Sequence, residues 1–216
     1  MSGEVDFIIF NAELENAMYA RNIPGIQEKL KRGKVAIAGL GGLGSNIAVM
    51  LARIGIGKLL LVDFDMVEAS NLNRQHYNVT HLGMLKADAL EAQLELINPF
   101  IETETRAVKI TIDNAAELFD GYEIICEAFD RAEFKADLVN AILEHGGKKI
   151  VAASGMNGFT SSNLIKTERK LKNLYICGDG VAAEQTGIGF MAPRVNICAG
   201  HQANMIVRLL LGIDKE

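Results

Sequence analysis

Cysteine, proline and tryptophan are scarce in this chain of 216 residues, which has 3 Cys, 3 Pro and no Trp. The cysteines, Cys126, Cys177 and Cys198, are odd in number and form no C-x-x-C pair. That excludes a disulfide framework and a four-cysteine zinc knot, and reduced thiols are expected. Long apolar runs are also missing. Leu59 to Val62, and Val207 to Leu211 with Arg208 inside it, fall well short of the roughly 20 residues that cross a bilayer. Basic residues are outnumbered, 22 Lys and Arg against 27 Asp and Glu, and the formal charge of −5 disfavours a general nucleic-acid binder. Glu4 and Asp6 stand near the N-terminus, where a secretory signal would carry basic residues ahead of an apolar core. The expected location is therefore cytoplasmic.

What remains is globular composition, 49% hydrophobic and 23% charged, with a length suited to one domain plus an appendage. Glycine is the surplus, 21 residues gathered at positions 39–44, 55–57, 146–158 and 178–189. Residues 1–33 read as an arm of two short helices, Asn11 to Arg21 and Gly25 to Lys31, parted by Pro24-Gly25. Residues 34–154 alternate strand and helix. The expected strands are Lys34 to Ala38, Lys58 to Val62, Ile101 to Val108, Tyr122 to Glu127 and Lys149 to Ala153. The expected helices are Ser45 to Ile54, Met84 to Ile97, Asp113 to Phe119 and Glu133 to Glu144. Apolar strands alternating with helices predict an α/β, Rossmann-like, doubly wound and mainly parallel sheet with helices on both faces. Residues 155–216 form a looser crossover segment, with a strand near Phe159 to Lys166, a polar stretch Thr167 to Lys172 and a closing helix Val195 to Leu211.

Gly39, Gly41 and Gly44 make a G-x-G-x-x-G turn directly between a strand and a helix, with Gly42 as a further glycine inside it. Such a turn lets backbone N–H groups approach a phosphate at the helix N-terminus. Asp63 follows at the end of the next strand, where an acid can accept bonds from ribose hydroxyls. In a doubly wound sheet ligands bind at the carboxyl ends of the strands. That one rim collects the glycine turn, Asp63, Asp65, Asp130 and Ser154-Gly155. The polar run from Asp63 to Gln75 reads as a loop over the same rim, and its Asn71, Arg74 and Gln75 can bond phosphates, with Lys86 as a second cation. Singly, Arg74 or Lys86 reads as a solvated surface charge. A dehydrogenase would use the turn and Asp63 but gives no reason for the cations or Asp130. An adenylating enzyme gives a reason for each: Arg74 and Lys86 offset charge on the triphosphate, and Asp130 is a hard ligand for Mg²⁺.

The glycine turn, Asp63-Phe64-Asp65, Ser70-Asn71-Leu72-Asn73-Arg74-Gln75, Lys86, Asn98-Pro99 and Asp130 together resemble the ThiF/MoeB/HesA family of ubiquitin-activating-like adenylyltransferases. The resemblance runs from about Tyr19 to Leu211, and Met191-Ala192-Pro193-Arg194-Val195 is most like the short ThiF family 2 proteins. It implies a homodimer that binds ATP and adenylates the C-terminal glycine of a ubiquitin-fold sulfur carrier of the ThiS or MoaD type, in thiamine biosynthesis or related sulfur transfer. By matched position Asp63 holds ribose, Asn71, Arg74 and Gln75 the phosphate region, Lys86 the α-phosphate and Asp130 the Mg²⁺. Tyr19-Ala20-Arg21-Asn22-Ile23 is similar to the family's Y-x-R-Q-I, which makes Arg21 either a finger reaching the neighbouring subunit's nucleotide or an ordinary helix-surface arginine. The paired zinc cysteines of many relatives are missing, so no zinc is expected. The resemblance to ThiF proper implies a cysteine shortly before Pro193 that joins the carrier covalently; none stands in the stretch from Glu184, and Cys177, farther upstream on the crossover segment, is expected to be a non-catalytic thiol. Adenylation of a tRNA-linked threonyl group, or non-catalytic binding of a nucleotide or carrier, are the competing readings.

Overall fold

The computed structural model describes residues 2–181 and 189–215, with side chains from Asn11 onward. Most of the stretch before Pro193 in which a cysteine was sought, residues 184–188, therefore lies outside the described residues. Among the described residues seven strands form one sheet: β1 (Lys34–Ala38), β2 (Lys58–Val62), β3 (Glu102–Arg106), β4 (Ile124–Glu127), β5 (Lys149–Ala153), β6 (Lys166–Leu171) and β7 (Leu174–Gly178). Their order is β3-β2-β1-β4-β5-β7-β6, with all neighbours parallel except the β6–β7 pair. The expected Rossmann-like α/β sheet is what the chain forms.

Among the described residues seven α-helices accompany it: α1 (Ser2–Tyr19), α2 (Gln27–Lys31), α3 (Gly44–Arg53), α4 (Lys86–Ile97), α5 (Ile112–Leu118), α6 (Ala132–His145) and α7 (Ala192–Leu210). On one face Ile47 and Leu51 of α3 pack over β1, Leu90 and Leu94 of α4 over β2, and Cys198, Ile206 and Leu209 of α7 belong to the same core while that helix lies over β4, β5 and β7. On the other, Ala115, Leu138 and Ile142 from α5 and α6 cover Ala36, Leu60, Ile125 and Ile150. Both faces are covered, which is why β1, β2, β4 and β5 read as unbroken apolar runs rather than alternating ones. The strand register sets the rim: Ala38 lies opposite both Val62 and Glu127, so β1, β2 and β4 end level. Chain order leaves β1 in opposite directions toward β2 and β4, and the crevice between β1 and β4 is the topological switch point where such sheets bind ligands.

Two expectations need correction. The arm begins with one long helix, Ser2–Tyr19, followed by a second of five residues, rather than the short helices Asn11 to Arg21 and Gly25 to Lys31. The crossover segment is not a loose stretch with a strand near Phe159 to Lys166. It holds a tight hairpin, β6 and β7, with Leu171 opposite Leu174 and only Lys172-Asn173 between. Lys166, Glu168 and Lys170 alternate along β6 as a charged edge strand, a device that blocks further strand pairing. That alternation reads as a polar loop when taken from composition alone. Among the described residues no helix is long and apolar enough to cross a membrane.

Candidate active site

A cavity of about 760 Å³ opens at the level rim, lined by Gly39, Gly41, Gly42, Asp63, Asp65, Arg74, Gln75, Lys86, Asp130 and Ser154-Gly155 among others. The residues singled out at the rim thus converge on one space.

The glycine turn is shaped by two of its glycines. Gly39 has φ of +90°, and a Cβ there would meet the Phe129 ring at 3.0 Å and the Ala128 carbonyl oxygen at 3.1 Å. A Cβ on Gly44 would fall 1.8 Å from the Gly39 oxygen. Gly41 is different: only Gln75 Nε2, at 3.8 Å, lies within reach. Gly41 therefore leaves room for a ligand rather than for the protein's own backbone. The first turn of α3 follows: its Ser45 and Ile47 N–H groups donate to the Gly41 and Leu43 carbonyls, no side chain caps the helix, and its positive dipole end at the turn suits an anion.

Asp63 holds the turn as well as facing the cavity. Its Oδ2 accepts the Leu40 N–H at 2.7 Å and its Oδ1 the Asp65 N–H at 2.8 Å. Burial raises the carboxyl above the usual aspartate range, and nearby Lys86 and the two N–H donors partly counter this. Lys86, the first residue of α4, is almost wholly buried and its ammonium lies 2.9 Å from Asp65 Oδ2. A buried ammonium with one half-exposed carboxylate partner is a charge held ready beside the cavity.

The loop after β2 is folded back by Met66 and Leu85, which form an isolated antiparallel bridge. Asn46 Nδ2 donates to the carbonyls of Gly42 at 2.7 Å and Arg74 at 3.0 Å, tying that loop to the glycine turn. Ser45 Oγ does the same, donating to the Gly41 carbonyl and accepting the His76 N–H. Arg74 is anchored by the Ser70 carbonyl and Asn73 Oδ1, and its guanidinium lies 5.8 Å from the centre of the Phe190 ring. Gln75 is buried and its Oε1 has no partner among the described residues, so a ligand donor would satisfy it. Asn71 is placed one step back, off the cavity wall. Its Oδ1 accepts the Glu68 N–H and caps the short turn of residues 69–71.

Asp130, beyond β4, is exposed on the wall and makes no hydrogen bond or ion pair among the described residues. No group of three or more His, Cys, Asp or Glu there could hold a metal ion. One free carboxylate nevertheless fits Mg²⁺, which is commonly bound through one or two carboxylates plus phosphate oxygens.

Arg21 does not join this set. It is exposed in the turn after α1, next to Asn22, whose side chain reaches Gln27 Oε1 and the Ile54 carbonyl at the amino edge of the sheet. In its own chain it sits at the opposite edge from the cavity.

All three cysteines are buried, and burial raises each thiol, Cys177 to about 11 and Cys198 to about 12. Cys177 is not on a loose segment. It lies in β7 paired with Ala153, its Sγ 3.4 Å from Thr167 Oγ1. A thiol-reactive dye at pH 7.5 should therefore find no fast-reacting cysteine in the native protein and three after unfolding. One fast thiol lost in Cys177→Ser would revive a nucleophilic role.

Sequence reasoning assigned no role to several groups here. Tyr77 is buried, its hydroxyl 2.9 Å from the Leu40 carbonyl and 3.3 Å from that of Lys86, joining turn and helix. Arg194 and Asp179 form a buried pair at 2.8 Å, which locks the head of α7 to the loop after β7. Glu127 and Lys135 form another at 2.9 Å on the cavity wall. An acid closing an otherwise apolar strand was the available signal for Glu127.

Compared with known proteins, the chain matches the ThiF family over residues 14–216. It is 35% identical over 197 residues to the molybdopterin-synthase adenylyltransferase of Haemophilus influenzae, covering 88% of this chain and 79% of that protein. It is 30% identical over 193 residues to the adenylyltransferase and sulfurtransferase UBA4 of Lodderomyces elongisporus, covering 86% of this chain and 42% of the relative. The chain thus spans less than half the length of the UBA4 proteins it matches. Among solved structures, the tRNA N6-threonylcarbamoyladenosine dehydratase TcdA of E. coli, in complex with ATP, shares the fold. Its TM-score is 0.81 at 20% identity, over 91% of this chain and 93% of that one.

Proposed function

Because the chain belongs to the ThiF family, we propose that it is an ATP- and Mg²⁺-dependent adenylyltransferase acting on the C-terminal glycine of a ubiquitin-fold sulfur carrier. The carrier is of the ThiS or MoaD type, and thiamine biosynthesis or a related sulfur-transfer route is the setting. One observation carries this reading: the glycine turn, Arg74, Lys86 and an unpartnered Asp130 line a single cavity at the switch point. The relative named a molybdopterin-synthase adenylyltransferase supports the reaction class.

In the reaction a carboxylate oxygen of the carrier attacks the α-phosphorus, the bond to the bridging oxygen of the β-phosphate breaks, and pyrophosphate leaves with that electron pair. The products are an acyl-adenylate and pyrophosphate. Both reactants are anionic, so charge must be offset before they meet. The turn's backbone N–H groups and the start of α3 hold phosphate oxygens, while Arg74 and Lys86 face the same space as cations. Asp63 accepts ribose hydroxyls with the lone pairs its two N–H donors leave. Mg²⁺, when bound through Asp130, supplies further neutralisation of the phosphates. The test is ATP–pyrophosphate exchange with carriers ending in Gly-Gly. Normal ATP binding without exchange for any carrier would make the substrate assignment wrong.

The working unit is a homodimer in which Arg21 completes the neighbour's site, since its own cavity is at the other edge of the sheet. Mixing an inactive Arg21→Ala chain with an inactive Asp130→Ala chain should then restore about a quarter to a half of the activity, because one of the heterodimer's two sites is intact. Absence of any recovery in confirmed heterodimers would mean that each site is built within one chain.

A further inference from the structure

Glu127 ends β4 with no exposed surface at all, yet it lies at the floor of a cavity proposed to take a triphosphate. An unpaired carboxylate there would repel the ligand and carry a large desolvation cost. It is not unpaired. Lys135, one turn into α6, places its ammonium 2.9 Å from Oε1 and 3.1 Å from Oε2, so both oxygens are neutralised by one cation. The oxygens also accept backbone donors, Phe129 N–H at 2.7 Å on Oε1 and Ala153 N–H at 3.4 Å on Oε2. The neighbouring backbone is held too: the Ala128 N–H donates to the Ala38 carbonyl at 2.9 Å. Phe129, so anchored, is the residue before Asp130, and its ring is what a side chain at Gly39 would strike.

We propose that the Glu127–Lys135 pair is a positioning device for Asp130: it fixes the Ala128-Phe129 backbone against the glycine turn and aims the metal-binding carboxylate at the phosphates. This deepens the adenylation reading and rests on it. Two separate jobs follow from the geometry. Glu127 must present an acceptor to the Phe129 N–H, and Lys135 must cancel the charge of Glu127. Gln can keep the first job without the charge, and Met can keep the volume of Lys without the ammonium.

Binding of Mn²⁺, followed by its electron paramagnetic resonance in the presence of α,β-methylene ATP, reads the metal site without turnover. Glu127→Ala should weaken Mn²⁺ binding at least about tenfold, the scale of losing an outer partner of a metal ligand, with metal-free analogue binding nearly unchanged. Lys135→Met leaves a buried charge and should weaken the analogue itself by about tenfold or more. The double variant Glu127→Gln/Lys135→Met keeps the acceptor and removes both charges, so it should return to within about threefold of the natural protein for both ligands. Melting curves identify any single variant that does not fold, and the double variant then decides alone. Wild-type affinity for Mn²⁺ in Glu127→Ala, or a double variant that binds either ligand no better than the poorer single one, would overturn the proposal. If the unmodified protein fails to bind Mn²⁺ with the analogue, it is the Mg²⁺–ATP reading that fails.

Discussion

Replacing Asp130 with alanine is expected to lower ATP–pyrophosphate exchange by about three orders of magnitude while leaving the melting temperature unchanged. The rate term follows from the metal: neutralising charge on a transferring phosphoryl group is worth several kcal/mol, and about 4 kcal/mol corresponds to roughly a thousandfold. The stability term follows from the surroundings. Asp130 is exposed and makes no hydrogen bond or ion pair among the described residues, so its removal leaves no buried partner stranded. Lys86→Ala should separate the two quantities less cleanly, because its ammonium is buried against Asp65 and its stem is enclosed. Exchange that survives in Asp130→Ala would remove the metal role from this residue. A large fall in melting temperature would show that Asp130 supports the fold after all.

How much of this could be read from the chain differs by residue. β1, β2 and β5 begin and end where their apolar runs predict, because strands buried on both faces have no polar residues inside them and turn residues at their ends. The rim was legible for the same reason: once the strands are placed in a parallel sheet, Gly39, Asp63 and Asp130 can only emerge on one side. β6 was not legible, since Lys166-Thr167-Glu168-Arg169-Lys170 carries no apolar face and owes its structure to pairing with β7. The burial and pairing of Glu127 and Arg194 were not legible, because charged residues are rarely found fully inside unless a partner distant in sequence meets them. Their partners, Lys135 and Asp179, lie across a helix boundary and across the β7–α7 connection. Arg21 is the converse case. Its motif was visible, but nothing in a single chain's geometry brings it near the cavity.

Gly44→Ala and Gly41→Ala, three residues apart in one motif, should fail in opposite ways. At Gly44 the new Cβ would lie 1.8 Å from the Gly39 oxygen and 2.9 Å from its carbonyl carbon, both backbone atoms that no rotamer change can move. The turn must open, disturbing the N–H to carboxylate bond between Leu40 and Asp63 and the packing of α3 on β1. A cost of about 4 kcal/mol or more, at the exceptional end for one substitution, is a large share of the roughly 5–15 kcal/mol that holds a domain folded. At about 2–4 °C per kcal/mol, the melting temperature should fall by at least about 8 °C. At Gly41 the nearest atom to a new Cβ is 3.8 Å away and φ is not positive, so the fold accepts alanine. Stability should hold or rise by up to about 1 kcal/mol, because the unfolded chain loses freedom. Its methyl group would instead occupy the space where phosphate approaches the backbone, and ATP affinity should fall about tenfold or more. Melting curves with and without ATP measure both terms in one experiment. A stable Gly44→Ala protein, or a Gly41→Ala protein that keeps its ATP-induced rise in melting temperature, would mean that the two glycines do not divide the work as their surroundings indicate.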